Sequence, residues 1–200
     1  MKKLLSLILL LSFTIKAQEI KIGTQTWTSK NLDVTKYRNG DAIPQVQDKN
    51  AWAKLKTGAW CYYENNTANG TTYGKLYNWF AVNDTRGLAP KGYHIPTDAE
   101  WTILINYLGG VDSAESEMKS ISNWKEDSNG SNTSGFAGLP GGFRDSYGWF
   151  DLFGAYGFWW SSSENDTLDA WFRFLYSSNG IVVRNGNGKQ HGFSVRCLRD

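Results

Sequence analysis

The chain has 200 residues and a formal net charge of +2, a length that suits one domain and a targeting segment. So small a charge excludes the strongly basic proteins that hold nucleic acid through many phosphate contacts. With 21 glycines, 15% aromatic residues and only 20% charged residues, the composition is typical of a loop-rich extracellular module.

The first 17 residues have the layout of a secretory signal peptide. Lys2 and Lys3 give a basic start, residues 4–13 form an apolar run, and the segment ends on an alanine suited to cleavage. The apolar run is too short to span a bilayer, so we expect no membrane span. We therefore predict a signal peptide over residues 1–17, a single domain over residues 18–200, and secretion to the periplasm, the cell surface or the medium. Loss of the three lysines of this segment would change the net charge to −1.

The N-terminal half predicts short elements separated by polar turns. Residues 19–27 alternate around Gly23 and predict a hairpin. Residues 50–55 favour one or two helical turns, and residues 59–63 favour a strand. Apolar residues at helical spacing predict a helix over residues 73–82.

The clearest helix signal begins at Thr97. Thr97 and Glu100 have the spacing of a capping box, in which each side chain accepts a hydrogen bond from the backbone N–H of the other residue. A stripe at i, i+3, i+4 and i+7 then predicts one buried helical face, made of Trp101, Leu104, Ile105 and Leu108. A shorter helix is predicted over residues 112–120.

The C-terminal third predicts an antiparallel meander of about four strands, because short aromatic or β-branched segments alternate there with Gly, Asn and Ser clusters. The segments are residues 157–164, 170–176, 181–184 and 192–198. In the first of them Phe158 and Trp160 point to one face and Trp159 to the other, so this strand is predicted to be central and covered on both faces. Strands, then helices, then strands indicate an α+β fold.

Cys61 and Cys197 are the only cysteines. Because an exported protein meets oxidising conditions, a structural disulfide between them is the preferred interpretation. It would stabilise the fold by about 5 kcal/mol in the chain-entropy account. A redox or metal-binding pair and two buried free thiols remain the alternatives, although no C-x-x-C spacing supports the first.

The order of the motifs resembles that of the Fibrobacter succinogenes major paralogous domain, found in exported proteins of Bacteroidetes and relatives. The motifs are KIGTQTW at 21–27, YGKLYNW at 73–79, GLAPKG at 87–92, HIPTDAEW at 94–101, LPGG at 139–142, FWWSS at 158–162 and GFSVRC at 192–197. The resemblance implies a C-type-lectin-like fold of the branch shared with formylglycine-generating enzymes, with two or three helices packed on twisted antiparallel sheets and long loops. It implies no established activity, but related domains on this fold bind diverse ligands through their last strands and loops, here residues 173–190.

A ligand-binding face is therefore predicted on the C-terminal strands and loops. Alternation places Trp171 and Arg173 on one face, and we expect that face to reach solvent because it carries the guanidinium. A ring beside a guanidinium suits stacking on a sugar or anchoring a protein partner. The predicted ligand-binding residues are Trp149, Trp171, Arg173, Tyr176, Asn179, Arg184, Asn185, Asn187 and Lys189. Turn formation alone also explains the asparagines.

Two further groups of residues are candidates for metal or catalytic roles. Glu164, Asp166 and Asp169 are the candidates for a calcium site, but the chain lacks the tripeptide and Trp-Asn-Asp motifs of sugar-binding calcium lectins. Solvation is the preferred interpretation, with Glu164 as a buried acceptor the alternative, and no cofactor is predicted. His94 is expected to make a structural hydrogen bond rather than act in catalysis.

The sequence thus predicts a secreted, non-catalytic module that binds an extracellular glycan or surface protein and no nucleic acid. One alternative is a cysteine-dependent redox or oxidase-like enzyme at Cys61 and Cys197, related to formylglycine-generating enzymes. Another is a purely structural module of the cell envelope.

Overall fold

A computed structural model describes residues 18–200, apart from the side chain of Asn179, and the predicted signal peptide at residues 1–17 lies outside this part. The helices are α1 (Lys49–Trp52), α2 (Thr67–Tyr73), α3 (Trp79–Val82), α4 (Asp98–Tyr107) and α5 (Val111–Met118). The strands are β1 (Glu19–Ile22), β2 (Gln25–Thr28), β3 (Trp60–Cys61), β4 (Leu76–Tyr77), β5 (Tyr93–His94), β6 (Phe143–Arg144), β7 (Phe150–Asp151), β8 (Tyr156–Glu164), β9 (Asp169–Tyr176), β10 (Asn179–Gly188) and β11 (Leu198–Arg199).

The strands form two sheets and two small ribbons. The four-stranded sheet has the order β1-β2-β11-β5, the three-stranded sheet has the order β10-β9-β8, and β3-β4 and β6-β7 are the ribbons. All ladders between these strands are antiparallel. Helices α4 and α5 pack on the three-stranded sheet. The predicted α+β class is confirmed.

The predicted hairpin at the start of the domain is β1–β2, which turns at Gly23 with φ +60. A side chain is excluded at Gly23, because a Cβ there would lie 2.7 Å from Cδ2 of Tyr107 on α4. Strand β11 pairs with β2 through Leu198 and Trp27. Strand β11 therefore lies inside the sheet that the first hairpin begins, between β2 and β5.

Helix α4 has the predicted capping box. The Thr97 hydroxyl accepts a hydrogen bond from the Glu100 N–H at 3.2 Å, and the Glu100 carboxylate accepts one from the Thr97 N–H at 2.8 Å. The apolar face of the helix is buried as predicted, with Trp101 and Leu104 both fully inaccessible. Helix α5 confirms the second helix signal, within two residues at each end.

The predicted helix over residues 73–82 is wrong. Helix α2 ends at Tyr73, the first residue of this segment, because Gly74 has a φ of +74 outside the helical region, and β4 and α3 follow as separate elements. Between them the Tyr77 N–H donates to the Phe193 carbonyl at 2.9 Å, and the Asn78 side chain caps α3. The apolar spacing arises because successive short elements all face one core, so a local periodicity cannot distinguish them from a helix.

The predicted meander has three strands instead of four, and β8 is the edge strand of its sheet, so its predicted central position is wrong. Its rings are nonetheless covered on both faces, since Trp159 and Trp160 are fully inaccessible. The segment after β10 runs beside β8 through a single bridge from Ser194 to Trp159 and then leaves to form β11. A segment without regular strand pairing therefore covers part of β8, and it contributes aromatic rings although it forms only one bridge with that strand.

Buried cations hold much of this irregular chain in place. The Arg196 guanidinium is fully inaccessible and donates to the carbonyl oxygens of Thr28, Phe136 and Ala137 and to the Asn31 amide oxygen. Arg144 is equally buried and donates to the carbonyl oxygens of residues 46, 47 and 148. Each guanidinium donates to carbonyl oxygens of segments that are distant in the sequence, so these segments are fixed to one another.

Candidate ligand-binding face

Arg173 lies beneath α4, so the prediction that its guanidinium reaches solvent is wrong. The Arg173 side chain is 2% exposed, and its guanidinium donates to the Asp98 carboxylate at 2.6 Å and to the Thr102 hydroxyl at 3.2 Å. Both acceptors lie in the first turns of α4. Strand alternation correctly groups Arg173 with Trp171 but carries no information about which helix lies above them.

An aromatic ring beside a guanidinium does exist on this face, formed by a different arginine. The Arg184 guanidinium carbon lies 3.4 Å from the centre of the Trp171 ring, and Arg184 forms an ion pair with Asp98 at 2.9 Å. Burial would raise the pKa of Asp98, but hydrogen bonds from Arg184 and Arg173 lower it below its usual value. Trp171 and Arg184 thus contact each other, and Arg184 also binds Asp98 at the start of α4.

Lys189, predicted as a ligand-binding residue, is buried and joins two loops. It is 7% exposed, and its ammonium donates to the Glu164 carboxylate at 2.9 Å. It also donates to the carbonyl oxygens of Asp166 and Thr167. Glu164, considered above as a buried acceptor, is 57% exposed and forms the surface end of this contact.

The opposite face of the sheet presents partly exposed rings. Directly paired residues share a face, and the pairs Tyr156–Tyr176, Phe158–Phe174 and Phe174–Val183 place three strands' side chains together. Two rings from outside the sheet join them, one from β6 and one from the loop after β10. We call the partly exposed rings the aromatic platform, which consists of Phe143, Tyr156, Phe174, Tyr176 and His191.

Ring contacts join the aromatic platform into one surface. The Tyr156 and Tyr176 rings stack at 5.3 Å with 11° between their planes, and Phe174 lies 5.7 Å from Tyr176. The Phe143 and His191 rings stack at 6.0 Å with 19° between planes. Phe158, 7% exposed, contacts the rings of Phe143, Tyr156 and Phe174 from beneath. The Phe193 ring packs against Phe158 and Phe172 on the same face of the sheet. The platform rings therefore lie beside a buried apolar layer.

His191 contributes a neutral imidazole to the platform. Burial is the main cause that lowers the pKa of His191, which keeps the ring uncharged at neutral pH. Nδ1 lies 3.0 Å from the Gly188 carbonyl oxygen, a contact that places the proton on Nδ1 and leaves Nε2 as an acceptor. The platform therefore combines ring faces with a hydrogen-bond acceptor at its border.

Two of the three predicted asparagines, Asn185 and Asn187, lie on the platform side of β10. Asn185 pairs with Phe172 and Asn187 with Ala170, while Asn179 pairs with Tyr176 through its backbone and its side chain is outside the described part. Each of Asn185 and Asn187 accepts a hydrogen bond at 2.9 Å from the next residue's N–H. That contact uses the amide oxygen, so the NH₂ group is the part of each side chain that can donate to a ligand.

Trp149 lies apart from the platform, in the loop between β6 and β7. Its side chain is 60% exposed, and the Lys49 ammonium lies 3.1 Å from the centre of its ring. Of the predicted ligand-binding residues whose side chains are described, Tyr176, Asn185 and Asn187 lie on the platform side. The prediction did not include Phe143, Tyr156, Phe174 and His191, although the alternate rings of β8 and β9 indicate a row too long for one core.

The predicted disulfide is wrong, because both cysteines are free and fully buried. Cys61 packs with Trp52, Tyr63 and Leu76, whereas Cys197 belongs to the larger core around Phe193. Burial raises the pKa of each thiol to about 12. The two thiols thus belong to separate packed clusters and have the character of small apolar side chains.

His94 makes structural hydrogen bonds, as predicted. Its Nε2 lies 2.9 Å from the Glu100 carboxylate and its Nδ1 lies 2.8 Å from the Asp200 carboxylate. Within residues 18–200, no three His, Cys, Asp or Glu side chains are grouped as metal ligands. Over the same residues, no helix has the length and apolar character needed to cross a bilayer.

The chain matches the Fibrobacter succinogenes major domain over residues 20–199. No curated protein shows significant similarity to it. Because the match covers nearly all of the described residues, the chain belongs to the Fibrobacter succinogenes major domain family.

Proposed function

We propose that this protein is a secreted, non-catalytic ligand-binding or adhesion module with a C-type-lectin-like fold, and that the aromatic platform binds an extracellular glycan. The observation that carries this proposal is the set of partly exposed, mutually stacked rings at one end of the β8–β9–β10 sheet. Rings left in contact with water on a rigid sheet provide apolar area and a fixed geometry for a ligand.

A glycan suits this surface better than a protein partner does. The C–H face of a pyranose packs on an aromatic ring, while its hydroxyls need donors and acceptors around the ring. Asn185 and Asn187 supply NH₂ donors, and Nε2 of His191 supplies an acceptor. A stable protein interface requires about 1,000 Å² of buried surface with anchors at its centre, which a few partly buried rings do not supply.

The cysteine-dependent enzyme is the weaker alternative. A reactive cysteine needs an accessible thiolate, whereas the pKa of both thiols is raised to about 12 by burial. A purely structural envelope module would have no use for exposed stacked rings, and a blank binding screen would favour it.

A glycan array probed with residues 18–200, with calcium and with chelator, tests the proposal. We expect binding that does not depend on calcium and that falls about tenfold or more in Tyr156→Ala, since a central aromatic anchor contributes about 1–2 kcal/mol or more. Arg184→Ala, on the opposite face, is the matched control and should bind like the wild type. Binding that survives Tyr156→Ala but is lost in Arg184→Ala would contradict the assignment. Binding only to immobilised proteins would indicate that the platform binds a protein partner and not a glycan.

A further inference from the structure

A polar cleft of about 500 Å³ lies where three loop regions meet, beyond the end of the aromatic platform. Its lining includes Tyr63, Glu64, Asn69, Lys125, Asp151 and Phe153. Volumes of about 300–1,000 Å³ are usual for small-molecule sites. The cleft is therefore large enough to hold a ligand and not merely solvent.

Aromatic rings form one wall of this cleft. The partly exposed Phe153 ring stacks on the buried Tyr63 ring at 4.6 Å with 28° between their planes. Tyr73 meets the Phe153 ring edge-on at 4.8 Å. Phe153 is thus fixed between two rings and offers part of its surface to the cleft.

The backbone around the cleft is held in an unfavourable conformation. Glu64, Asn65 and Leu152 have φ values of +52, +55 and +61, in the left-handed region that costs about 1–2 kcal/mol for an L-residue. Asn65 donates to the Gln47 carbonyl at 3.2 Å, which fixes the first loop. The Tyr156 N–H donates to the Leu152 carbonyl at 2.9 Å, which fixes the second. The cleft is a preformed shape, a property that ligand sites share.

Two carboxylates, Glu64 and Asp151, and one ammonium, Lys125, line the cleft, so its charged lining is net negative. The pKa of Tyr63 is raised first by burial and then by the charges of Glu64 and Asp151. Both carboxylates are exposed and accept hydrogen bonds from hydroxyl or ammonium groups, while they repel a carboxylate.

The cleft and the aromatic platform share residues that are adjacent in the chain. Ala155 lines the cleft and Tyr156 is part of the platform, so their Cα atoms are about 3.8 Å apart. Gly142, next to Phe143 of the platform, packs so closely behind the cleft that a Cβ there would lie 2.7 Å from the Tyr63 ring. The two surfaces are therefore joined through consecutive residues of the chain.

We propose that the cleft is a second saccharide subsite, which takes a neutral or amino sugar residue of the same glycan that contacts the aromatic platform. This inference rests on the proposed function. A chain that reaches both subsites gains affinity through the linkage of the two contacts.

The test uses NMR titration of the protein with two- and six-residue β-1,4-glucan and chitin oligosaccharides and a six-residue galacturonate. Cleft resonances (Phe153, Ala155) and platform resonances (Tyr156, Tyr176) are followed separately. We expect the neutral hexamers to shift both sets and to bind about tenfold more tightly than the dimers. The galacturonate should not shift the cleft set.

The double variant Glu64→Gln/Asp151→Asn preserves size and should lower hexamer affinity to that of the dimer while admitting galacturonate to the cleft. Trp149→Ala removes an exposed ring outside both surfaces and serves as the control. If no probe at about 10 mM shifts the cleft resonances, the subsite is refuted. Unshifted platform resonances would instead refute the proposed function, so the two failures are distinguishable.

Discussion

The two arginines that contact Asp98 give the sharpest test of how the C-terminal sheet is built. Arg173→Met removes a guanidinium that is 2% exposed and bonded to Asp98 and Thr102. A hydrogen bond that involves a charged group contributes about 1.5–3 kcal/mol. Asp98 keeps its contact with Arg184, so the larger penalty for an orphaned buried charge does not apply. We expect the free energy of unfolding to fall by about 2–3 kcal/mol.

Arg184→Met is the matched control, since it removes a cation from the same carboxylate. Arg184 is 46% exposed and Arg173 continues to neutralise Asp98, so the expected loss is about 0–1 kcal/mol. Urea unfolding followed by tryptophan fluorescence measures both variants. At this chain length about 1 kcal/mol corresponds to a Tm change of about 2–4 °C. Equal and small losses in the two variants would refute the burial of Arg173 beneath α4.

Three further predictions concern other buried or paired groups. Unreduced protein should show two reactive thiols in denaturant and almost none when native, because Cys61 and Cys197 are free and buried; no thiols in denaturant would restore the disulfide. The pKa of His94 is raised because hydrogen bonds to Asp200 and Glu100 outweigh burial. Its contribution to stability is therefore complete below its ordinary pKa of 6.5 and is lost as pH rises through the raised value. Unfolding between pH 6 and pH 8 should show this loss, and a His94→Gln variant that keeps the same slope would contradict it. Arg196→Met should cost about 3 kcal/mol or more by leaving buried oxygens unpaired, and a loss below about 1 kcal/mol in urea would contradict that role.

Sequence motifs correctly predicted the elements whose hydrogen bonds join residues close together in the chain. The capping box of Thr97 and Glu100 requires only residues three apart, and the β1–β2 turn requires only a residue tolerant of positive φ at Gly23. Both were predicted correctly for that reason. The segment 73–82 failed because the partners of its backbone, such as Phe193, are distant in sequence.

The partly exposed rings lie on the sheet that was predicted to carry the ligand-binding face, but on the face opposite Arg173. Strand alternation correctly assigned Arg173 and Phe174 to opposite faces of the sheet. The charge of Arg173 then led to the prediction that its face is exposed to solvent. In the structure Asp98, 75 residues away, draws the arginine beneath α4 and leaves Phe174 partly exposed. A buried ion pair between distant residues leaves no local pattern, so single-sequence reasoning cannot recover it.

The disulfide was predicted from the expected oxidising compartment and the number of cysteines. Neither of these says how far apart the two cysteines lie in the folded protein. Cys61 lies on β3 in the cluster of Trp52, whereas Cys197 precedes β11 in the main core. Both positions accept a small apolar side chain. Their burial provides a sufficient reason for cysteine without a covalent bond.

The ratio of glycan dissociation constants in paired variants tests the central claim most directly. Tyr176→Ala removes a ring of the aromatic platform, and Trp171→Ala removes a ring from the opposite face of the same strand. By isothermal titration calorimetry on the strongest array hit, we expect a loss of about tenfold or more for Tyr176→Ala and less than about twofold for Trp171→Ala. Equal affinities of Tyr176→Ala and the wild type, or a loss confined to Trp171→Ala, would contradict the account.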